Sequence, residues 1–109
     1  MSTSLASTRK KLKLTVTVRV MDSYRGKRVS DLLFDLFKQS GFEGATMLLA
    51  DRGFDRRGFA TSNVLGLSVK LPVLIETIEA GEKVLEILPR VKEIVGSNGS
   101  ITLQEVEVL

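Results

Sequence analysis

The hydrophobic pattern of this chain switches repeatedly between strand-like and helix-like periods, and that succession constrains the fold most strongly. Apolar and polar residues alternate over residues 12–20, which predicts a half-buried strand. Over residues 29–37 the apolar residues recur at spacings of three and four, which is typical of an amphipathic helix, and Gly41 is expected to end it. Residues 45–50 are apolar at nearly every position and predict a strand that is buried on both faces.

The second half of the chain continues the same alternation of elements. Residues 72–78 are a further β-rich run, and residues 81–95 carry a broad apolar face that predicts a second helix. Pro89 lies inside this helix and should kink or break it. Residues 101–109 predict the last strand, in which a shift of the apolar phase indicates a bulge or a second buried face.

The resulting order is β-α-β-β-α-β, the ferredoxin-like arrangement of the α+β class with an antiparallel four-stranded sheet. Right-handed crossovers place both helices on one side of such a sheet and leave the other side uncovered. Because residues 45–50 offer apolar side chains to both faces, we expect the uncovered side to be buried by self-association.

A long segment between the second and third strands, residues 52–70, has no regular pattern and is interrupted by glycines. Loops of this length are uncommon in compact domains and are usually functional. In the predicted topology it meets residues 22–28 and 96–99 at one end of the sheet, which we call the loop edge. The N-terminus of the first helix also lies there and can bind anions. The basic residues that the sequence places at the loop edge are Arg25, Lys27, Arg28, Arg52, Arg56 and Arg57.

The composition excludes several classes of site. The chain has 109 residues, which is the size of one domain, and it contains no Cys, His or Trp. Disulfides and His-based catalytic triads are therefore excluded, and the preferred ligands of zinc are missing. We expect no metal, no cofactor and no catalytic residues, hence no enzyme. No apolar run approaches the roughly 20 residues that span a bilayer, so we expect a cytoplasmic protein without a membrane span.

The positive charge is concentrated at the N-terminus. The net charge is +3, but residues 1–13 hold four basic and no acidic side chains, so the remainder is nearly neutral. We expect residues 1–11 to be a disordered basic tail and residues 12–109 to be the folded domain. A nearly neutral body lacks the clustered positive charge of a nucleic-acid surface, so no nucleic-acid partner is predicted.

Several short motifs, in this order and spacing, resemble the PII-like family known as domain of unknown function 190, relatives of the nitrogen-regulatory PII signalling proteins. The resemblance covers roughly residues 12–108. Its motifs are Gly26-Lys27 before the first helix, Gly44-Ala-Thr46 at the second strand, Arg52-Gly-Phe54 in the loop, Leu71-Pro-Val73 at the third strand and Ile87-Leu-Pro89 in the second helix.

The resemblance implies a homotrimer that regulates another protein, such as an enzyme or transporter. It implies that residues 52–70 form the T-loop that contacts this partner, and that a small effector, typically an adenine nucleotide, binds between subunits near the loop base. The turn at residues 96–99 departs from the PII pattern because it lacks the basic residues that hold phosphates. A small anionic effector is therefore the general expectation. Its predicted ligands are Arg52, Gly53, Arg56, Arg57, Lys27 and Arg28, and the predicted partner contacts are Phe54 and Phe59.

Other functions stay open from the residues alone. Phe54 and Phe59 could instead pin the loop to the body. A trimeric scaffold or adaptor without a ligand would need no anion site. An enzyme would have to use Asp51 or Asp55 with the arginines, and nothing in an exposed glycine-rich loop predicts a perturbed carboxylate. An RNA-binding module of the same topology stacks bases on sheet aromatics, which the first and third predicted strands lack.

Overall fold

A computed structural model describes residues 8–62 and 68–109 of the chain. Its helices and strands follow one another in the predicted order, with short additional strands between them. They are β1 (Arg9–Arg19), β2 (Ser23–Tyr24), β3 (Lys27–Arg28), α1 (Val29–Gln39), β4 (Thr46–Leu49), β5 (Arg52–Asp55), β6 (Gly58–Thr61), a 3-10 helix (Ser68–Lys70), β7 (Pro72–Glu79), α2 (Gly81–Val95) and β8 (Ser100–Val108).

The main sheet has the strand order β4-β7-β1-β8, and its three pairings are all antiparallel. Val16 at the centre of β1 pairs with Ile75 of β7 on one side and Ile101 of β8 on the other. This topology confirms the predicted α+β ferredoxin-like fold.

Both helices pack on one face of this sheet, as the crossover rule requires. Leu14, Val16 and Val18 point into the core, where they meet Phe37 of α1 and Val91 of α2 among the buried residues. Each fully buried side chain of this kind stabilises the fold by about 1.5–3 kcal/mol relative to exposure. The sheet and the two helices therefore form one hydrophobic core.

The opposite face of the sheet, here called the outer face, is only partly covered in the single chain. Leu48 of β4 lies opposite Leu74 of β7 on this face and is 55% exposed. Leu49 lies opposite the core residue Val73, on the helix-covered face, and is 63% exposed because β4 is at the edge of the sheet. The prediction that residues 45–50 are buried on both faces is therefore wrong for a single chain, since β4 is an edge strand with one neighbour.

The main sheet extends further toward the N-terminus than predicted. Arg9–Lys11, assigned to the tail from their charge, are the first residues of β1 and pair with residues 106–108. Backbone pairing does not require apolar side chains, and Lys11 lies 3.6 Å from Glu43 while Thr8 donates to Glu107. The rest of the predicted disordered tail, residues 1–7, lies outside the described residues.

Two expected interruptions, a break of α2 at Pro89 and a bulge in β8, are absent from the described elements. Helix α2 continues through Pro89, which has no N–H to donate to the carbonyl of Leu85. Because Leu85 and Pro89 lie on an exposed side of the helix, water can donate to this carbonyl instead. The pairing of β8 with β1 keeps one register along its length, so the phase shift marks no bulge. Instead, Leu103 lies opposite Leu14 on the helix-covered face, and Val106 lies on the outer face.

The largest difference from the sequence prediction concerns the segment 52–70. Its first part is a hairpin, β5–β6, in which Phe54 pairs with Phe59 across the strands. Asp55 closes the two-residue turn because its Oδ1 accepts the N–H of Arg57 at 2.7 Å, and Gly58 supplies the required positive φ of 122°. Residues 63–67 lie outside the described part of the chain. Neither described helix is long and apolar enough to cross a bilayer.

Candidate functional site

The β5–β6 hairpin lies over the end of the outer face. Its contact with the sheet is close at Gly53, where an added Cβ would lie 2.6 Å from Cγ of Pro72. Glycine at this position therefore lets the two segments approach. Of the residues predicted as effector ligands, Gly53 thus has a packing role within the chain.

An arginine at the end of β1 ties the hairpin to the sheet. The residues that alternate with the buried core positions of β1 face outward, and Arg19 is the last of them. It is only 6% exposed, because the hairpin covers it. Its Nη2 donates to Oδ1 of Asp55 at 2.8 Å and to the carbonyl of Gly58 at 2.9 Å.

A second pair crosses from the hairpin turn to the loop after β1. Arg57 binds Asp22 with both ends of its guanidinium, through Nη1 to Oδ1 at 2.7 Å and Nη2 to Oδ2 at 3.1 Å. Asp22, which is 5% exposed, also accepts the backbone N–H of Arg19 at 2.8 Å. A bidentate arginine–carboxylate pair of this kind fixes the relative orientation of the two side chains as well as pairing their charges. We refer to Arg19, Asp22, Asp55 and Arg57 as the ion-pair cluster.

The cluster shifts the pKa values of Asp22, Asp55 and Arg57. Burial alone raises the pKa of Asp22, but hydrogen bonds from the Arg57 side chain and the Arg19 N–H outweigh it and hold that pKa below the ordinary value. The N–H of Arg57 lowers the pKa of Asp55 more than burial raises it, and Arg19 adds to the effect. The bond to Asp22 likewise raises the pKa of Arg57. All of these groups are charged at neutral pH.

A cavity of about 280 Å³ opens beside the cluster at the loop edge. Arg56 reaches across it and donates from Nη2 to the carbonyl of Ser97. The opposite wall lies close to β1 because an added Cβ at Gly99 would meet the Thr17 carbonyl at 2.6 Å. The cavity is lined by Thr17, Asp55, Arg56, Arg57, Asn98, Gly99 and Ser100.

The three predicted loops thus meet at the loop edge, but they bring only some of the predicted ligands to the cavity. Arg56 and Arg57 line it. Arg52 lies outside this lining with its Nε 3.6 Å from Oδ2 of Asp51. Lys27 and Arg28 are exposed in β3, and Arg28 is the N-cap of α1. The cavity of the single chain is therefore built from the hairpin turn, β1 and the turn before β8.

The two phenylalanines of the hairpin are directed to solvent. Phe54 is 85% exposed and Phe59, its cross-strand neighbour, is 55% exposed. Within the described part of the chain, Phe54 therefore does not pin the hairpin to the body. An exposed aromatic pair on a two-stranded ribbon is the kind of surface that anchors in a partner.

Sequence reasoning missed two members of the ion-pair cluster, Arg19 and Asp22. Arg19 occupies an outward position of an alternating strand, and Asp22 begins a turn, so both look like ordinary solvated charges. Their burial depends on the hairpin, whose partners lie 35 and 36 residues further along the chain. Among the described residues, no group of three or more acidic side chains is placed to hold a metal ion.

Comparison with known structures places the fold in the PII-like class. CPII, a nitrogen regulatory PII-like protein from Thiomonas intermedia K12 bound to ADP, AMP and bicarbonate, superposes with a TM-score of 0.74 over 94% of this chain and 91% of its own, at 14% identity. A putative PII-like signaling protein from Thermus thermophilus superposes with a TM-score of 0.67 over 94% and 92% of the two chains, at 21% identity. These similarities establish the fold.

Sequence comparison gives the family. The profile of DUF190, described as Uncharacterized ACR, COG1993, matches residues 11–108. A UPF0166 protein from Methanocaldococcus jannaschii is 30% identical over 95 residues, which is 87% of this chain and 88% of the relative. A UPF0166 protein from Aquifex aeolicus is 33% identical over 101 residues, 92% of this chain and 94% of the relative. The chain belongs to the DUF190 family, which confirms the resemblance seen in the sequence.

Proposed function

We propose that the protein is a cytoplasmic PII-like regulatory module, a homotrimer that binds a small anionic effector at the loop edge and a partner protein through residues 52–70. The observation that carries the proposal is the cavity in which Arg56 and Arg57 face the turn of residues 98–100. We assign the anion to this cavity and the partner to the hairpin that forms one of its walls.

The charge balance favours an anionic ligand. The cavity and the ion-pair cluster together bring the guanidinium groups of Arg19, Arg56 and Arg57 against the carboxylates of Asp22 and Asp55. One positive charge is thus unmatched, and Arg56 carries it because its described bond is to an uncharged carbonyl. An incoming carboxylate, bicarbonate or phosphate would give Arg56 a charge-assisted bond, worth about 1.5–3 kcal/mol.

An adenine nucleotide or bicarbonate is the first class of ligand to test, because CPII, which has the same fold, has a known structure bound to ADP, AMP and bicarbonate. The turn at residues 96–99 offers no basic side chain for a polyphosphate. Its backbone N–H groups are the remaining donors on that wall. We therefore expect weak nucleotide affinity, in the micromolar range or poorer.

Self-association completes the proposed site. The exposed Leu48 and Leu49 leave apolar surface on β4, which a neighbouring subunit would cover. We assign Arg52, Gly53, Lys27 and Arg28, which lie outside the lining of the single-subunit cavity, to the part of the cleft that forms between subunits. The positive charges of Arg52, Lys27 and Arg28 would add to the attraction of an anion even without direct contact.

A pure adaptor is the second candidate, and the exposure of Phe54 favours it. A hairpin with an aromatic pair could bind a partner protein without any small ligand. In that case Phe54→Ala would abolish partner capture, whereas Arg56→Ala would leave it unchanged. Catalysis is not part of either candidate.

Native mass spectrometry of gently purified protein, followed by a thermal-shift screen, tests the proposal. The expected result is a mass of about three chains of 12.0 kDa, with a small anion retained or a melting temperature raised by an anion of the panel. The panel contains ATP, ADP, AMP, cyclic nucleotides, bicarbonate and simple carboxylates. A protein that responds to none of them but captures a partner through the hairpin would support the adaptor instead.

A further inference from the structure

Two members of the ion-pair cluster contact the cavity wall from behind. Arg19 and Asp22 lie outside the cavity lining. Each of them binds a residue of the cavity lining, since Arg19 donates to Asp55 and Asp22 accepts from Arg57. The side-chain bonds that these two residues make to the hairpin therefore act on the position of cavity residues.

We propose that Asp22 and Arg19 are positioning residues that hold the β5–β6 hairpin against the outer face and so keep the anion cavity formed. The claim that these residues support anion binding rests on the proposed function. The claim that they hold the hairpin against the sheet does not depend on a ligand.

The hairpin needs such a hold because it has little to stabilise its position by itself. An isolated two-stranded ribbon is at best marginally stable in water. The contacts of β5–β6 with the rest of the chain include the packing of Gly53 on Pro72, the burial of Ala60, which is 1% exposed, and the bond of Arg56 to the Ser97 carbonyl, besides the bonds of the cluster. Phe54, the largest apolar side chain of β5, faces solvent instead of the sheet. The ion pairs are the directional contacts that join the hairpin to β1 and to the loop after it.

The energetics of the cluster also favour a local effect. Asp22 and Arg19 are nearly buried, whereas the side chains of their hairpin partners Arg57 and Asp55 are 23% and 42% exposed. Loss of the Asp22–Arg57 pair leaves Arg57 with only its longer contact to Asp55 at 3.5 Å, and movement of the hairpin away from the sheet would hydrate the guanidinium fully. The hydrophobic core between the sheet and the helices contains none of the four cluster residues and stays intact.

Docking and ligand binding are then linked. The hairpin supplies Asp55, Arg56 and Arg57 to one side of the cavity, and β1 and the turn before β8 supply the rest. A ligand that contacts both sides binds the docked hairpin better than the undocked one, so each event favours the other. Asp22 should influence affinity through this linkage, although it lies outside the cavity lining.

The test compares the full-length variants Asp22→Asn and Asp35→Asn with the wild type. Asp35 is exposed on α1, outside the cluster, so it controls for loss of one carboxylate. Hydrogen exchange read by mass spectrometry gives the opening of the hairpin, and calorimetry with AMP, ADP and bicarbonate gives affinity. We expect Asp22→Asn to speed exchange over residues 52–61 by about tenfold or more and to weaken binding by a similar factor.

A positioning role predicts that the change is confined to the hairpin. Exchange in β1 and β7 should stay at the wild-type rate, whereas a general loss of stability would raise it throughout the chain. Unchanged hairpin exchange in Asp22→Asn would overturn the inference. If the wild type binds none of the three probes, the proposed function fails for them. Hairpin exchange then decides the inference alone, with faster exchange supporting it and unchanged exchange contradicting it.

Discussion

Nη2 of Arg19 and Oδ1 of Asp55 lie 2.8 Å apart, although the two residues are 36 positions apart in the chain. This bond joins the last residue of β1 to the turn of the β5–β6 hairpin. Arg19 occupies an outward-facing position of β1, and yet its charged side chain is nearly buried because the hairpin covers it. The hairpin is thereby tied to the sheet at the point where the candidate anion cavity opens.

The ion-pair cluster makes stability depend on pH on the acidic side. In the unfolded chain, Asp22 and Asp55 take up protons near the ordinary pKa of 3.8, whereas in the folded state both pKa values are lower. The unfolded state therefore binds more protons in this range, and stability is lost as pH falls from about 3.8 through the folded values. Urea unfolding measured from pH 6 to pH 2.5 should show this decline.

The double variant Asp22→Asn/Asp55→Asn is the control for that pH dependence. It should be less stable at pH 6 and show a shallower decline below about pH 4. Part of the decline will persist, because Glu79 and Glu93 also have pKa values below their ordinary value. An identical acid slope in the variant and the wild type would show that the cluster is not ionised as described.

Phe37 should be the costliest aromatic residue to truncate. It is fully buried and stacks on Phe42 with ring centroids 5.6 Å apart. Phe37→Ala should lower the free energy of unfolding by about 3–5 kcal/mol in chemical denaturation. Phe54→Ala, the same substitution at an exposed position of β5, should change it by less than about 0.5 kcal/mol. Equal losses would mean that Phe54 is buried by a neighbouring subunit.

Gly99 should not tolerate a side chain. An added Cβ would lie 2.6 Å from the carbonyl oxygen of Thr17 and 2.7 Å from Cγ1 of Val18, so the start of β8 would have to move away from β1. Gly99→Ala should cost about 1–3 kcal/mol in stability. Gly44→Ala is the matched control, because an added Cβ there meets no atom within 4 Å. A Gly99 variant as stable as the Gly44 variant would contradict the packing described.

The sheet and helices could be predicted because their signals are local. Alternation before Arg19 and the three- and four-residue spacing before Phe37 each specify one element, and the order of elements leaves few topologies. The hairpin could not be predicted in the same way. Phe54 and Phe59 flank a turn held by Asp55, but β5 and β6 are short and without alternation.

The candidate site was predicted in location better than in composition. Topology places the loops at one edge, and Arg57 does meet Asp22 there. Which charged residues pair with each other depends on a tertiary contact between distant segments of the chain. The hydrophobic periodicity of the sequence does not predict such a contact. Arg56 and Arg57 therefore reach the cavity while Arg52 does not, a distinction that the sequence does not contain.

The exposed outer face predicts that association depends on β4. Leu48→Lys would place a charge opposite Leu74, in the apolar patch that a second subunit is proposed to cover. Light scattering should give about three chain masses for the wild type and a shift toward the mass of one chain for Leu48→Lys. Thr102 is an exposed residue of β8 on the same face, so Thr102→Lys is the control. It shows whether a charge added anywhere on this face lowers the mass. A wild type that runs as a monomer at micromolar concentration would refute the trimer.

The most direct test of the account is an isothermal titration of the purified protein with AMP, ADP and bicarbonate, made in parallel on Arg56→Ala and Arg90→Ala. Arg56 lines the cavity, whereas Arg90 lies on α2 and pairs with Glu93. We expect saturable binding of at least one of these anions to the wild type and to Arg90→Ala. We expect affinity lower by about tenfold or more in Arg56→Ala, the loss of one charge-assisted bond. Equal affinity in all three proteins, or no binding to the wild type, would contradict the account.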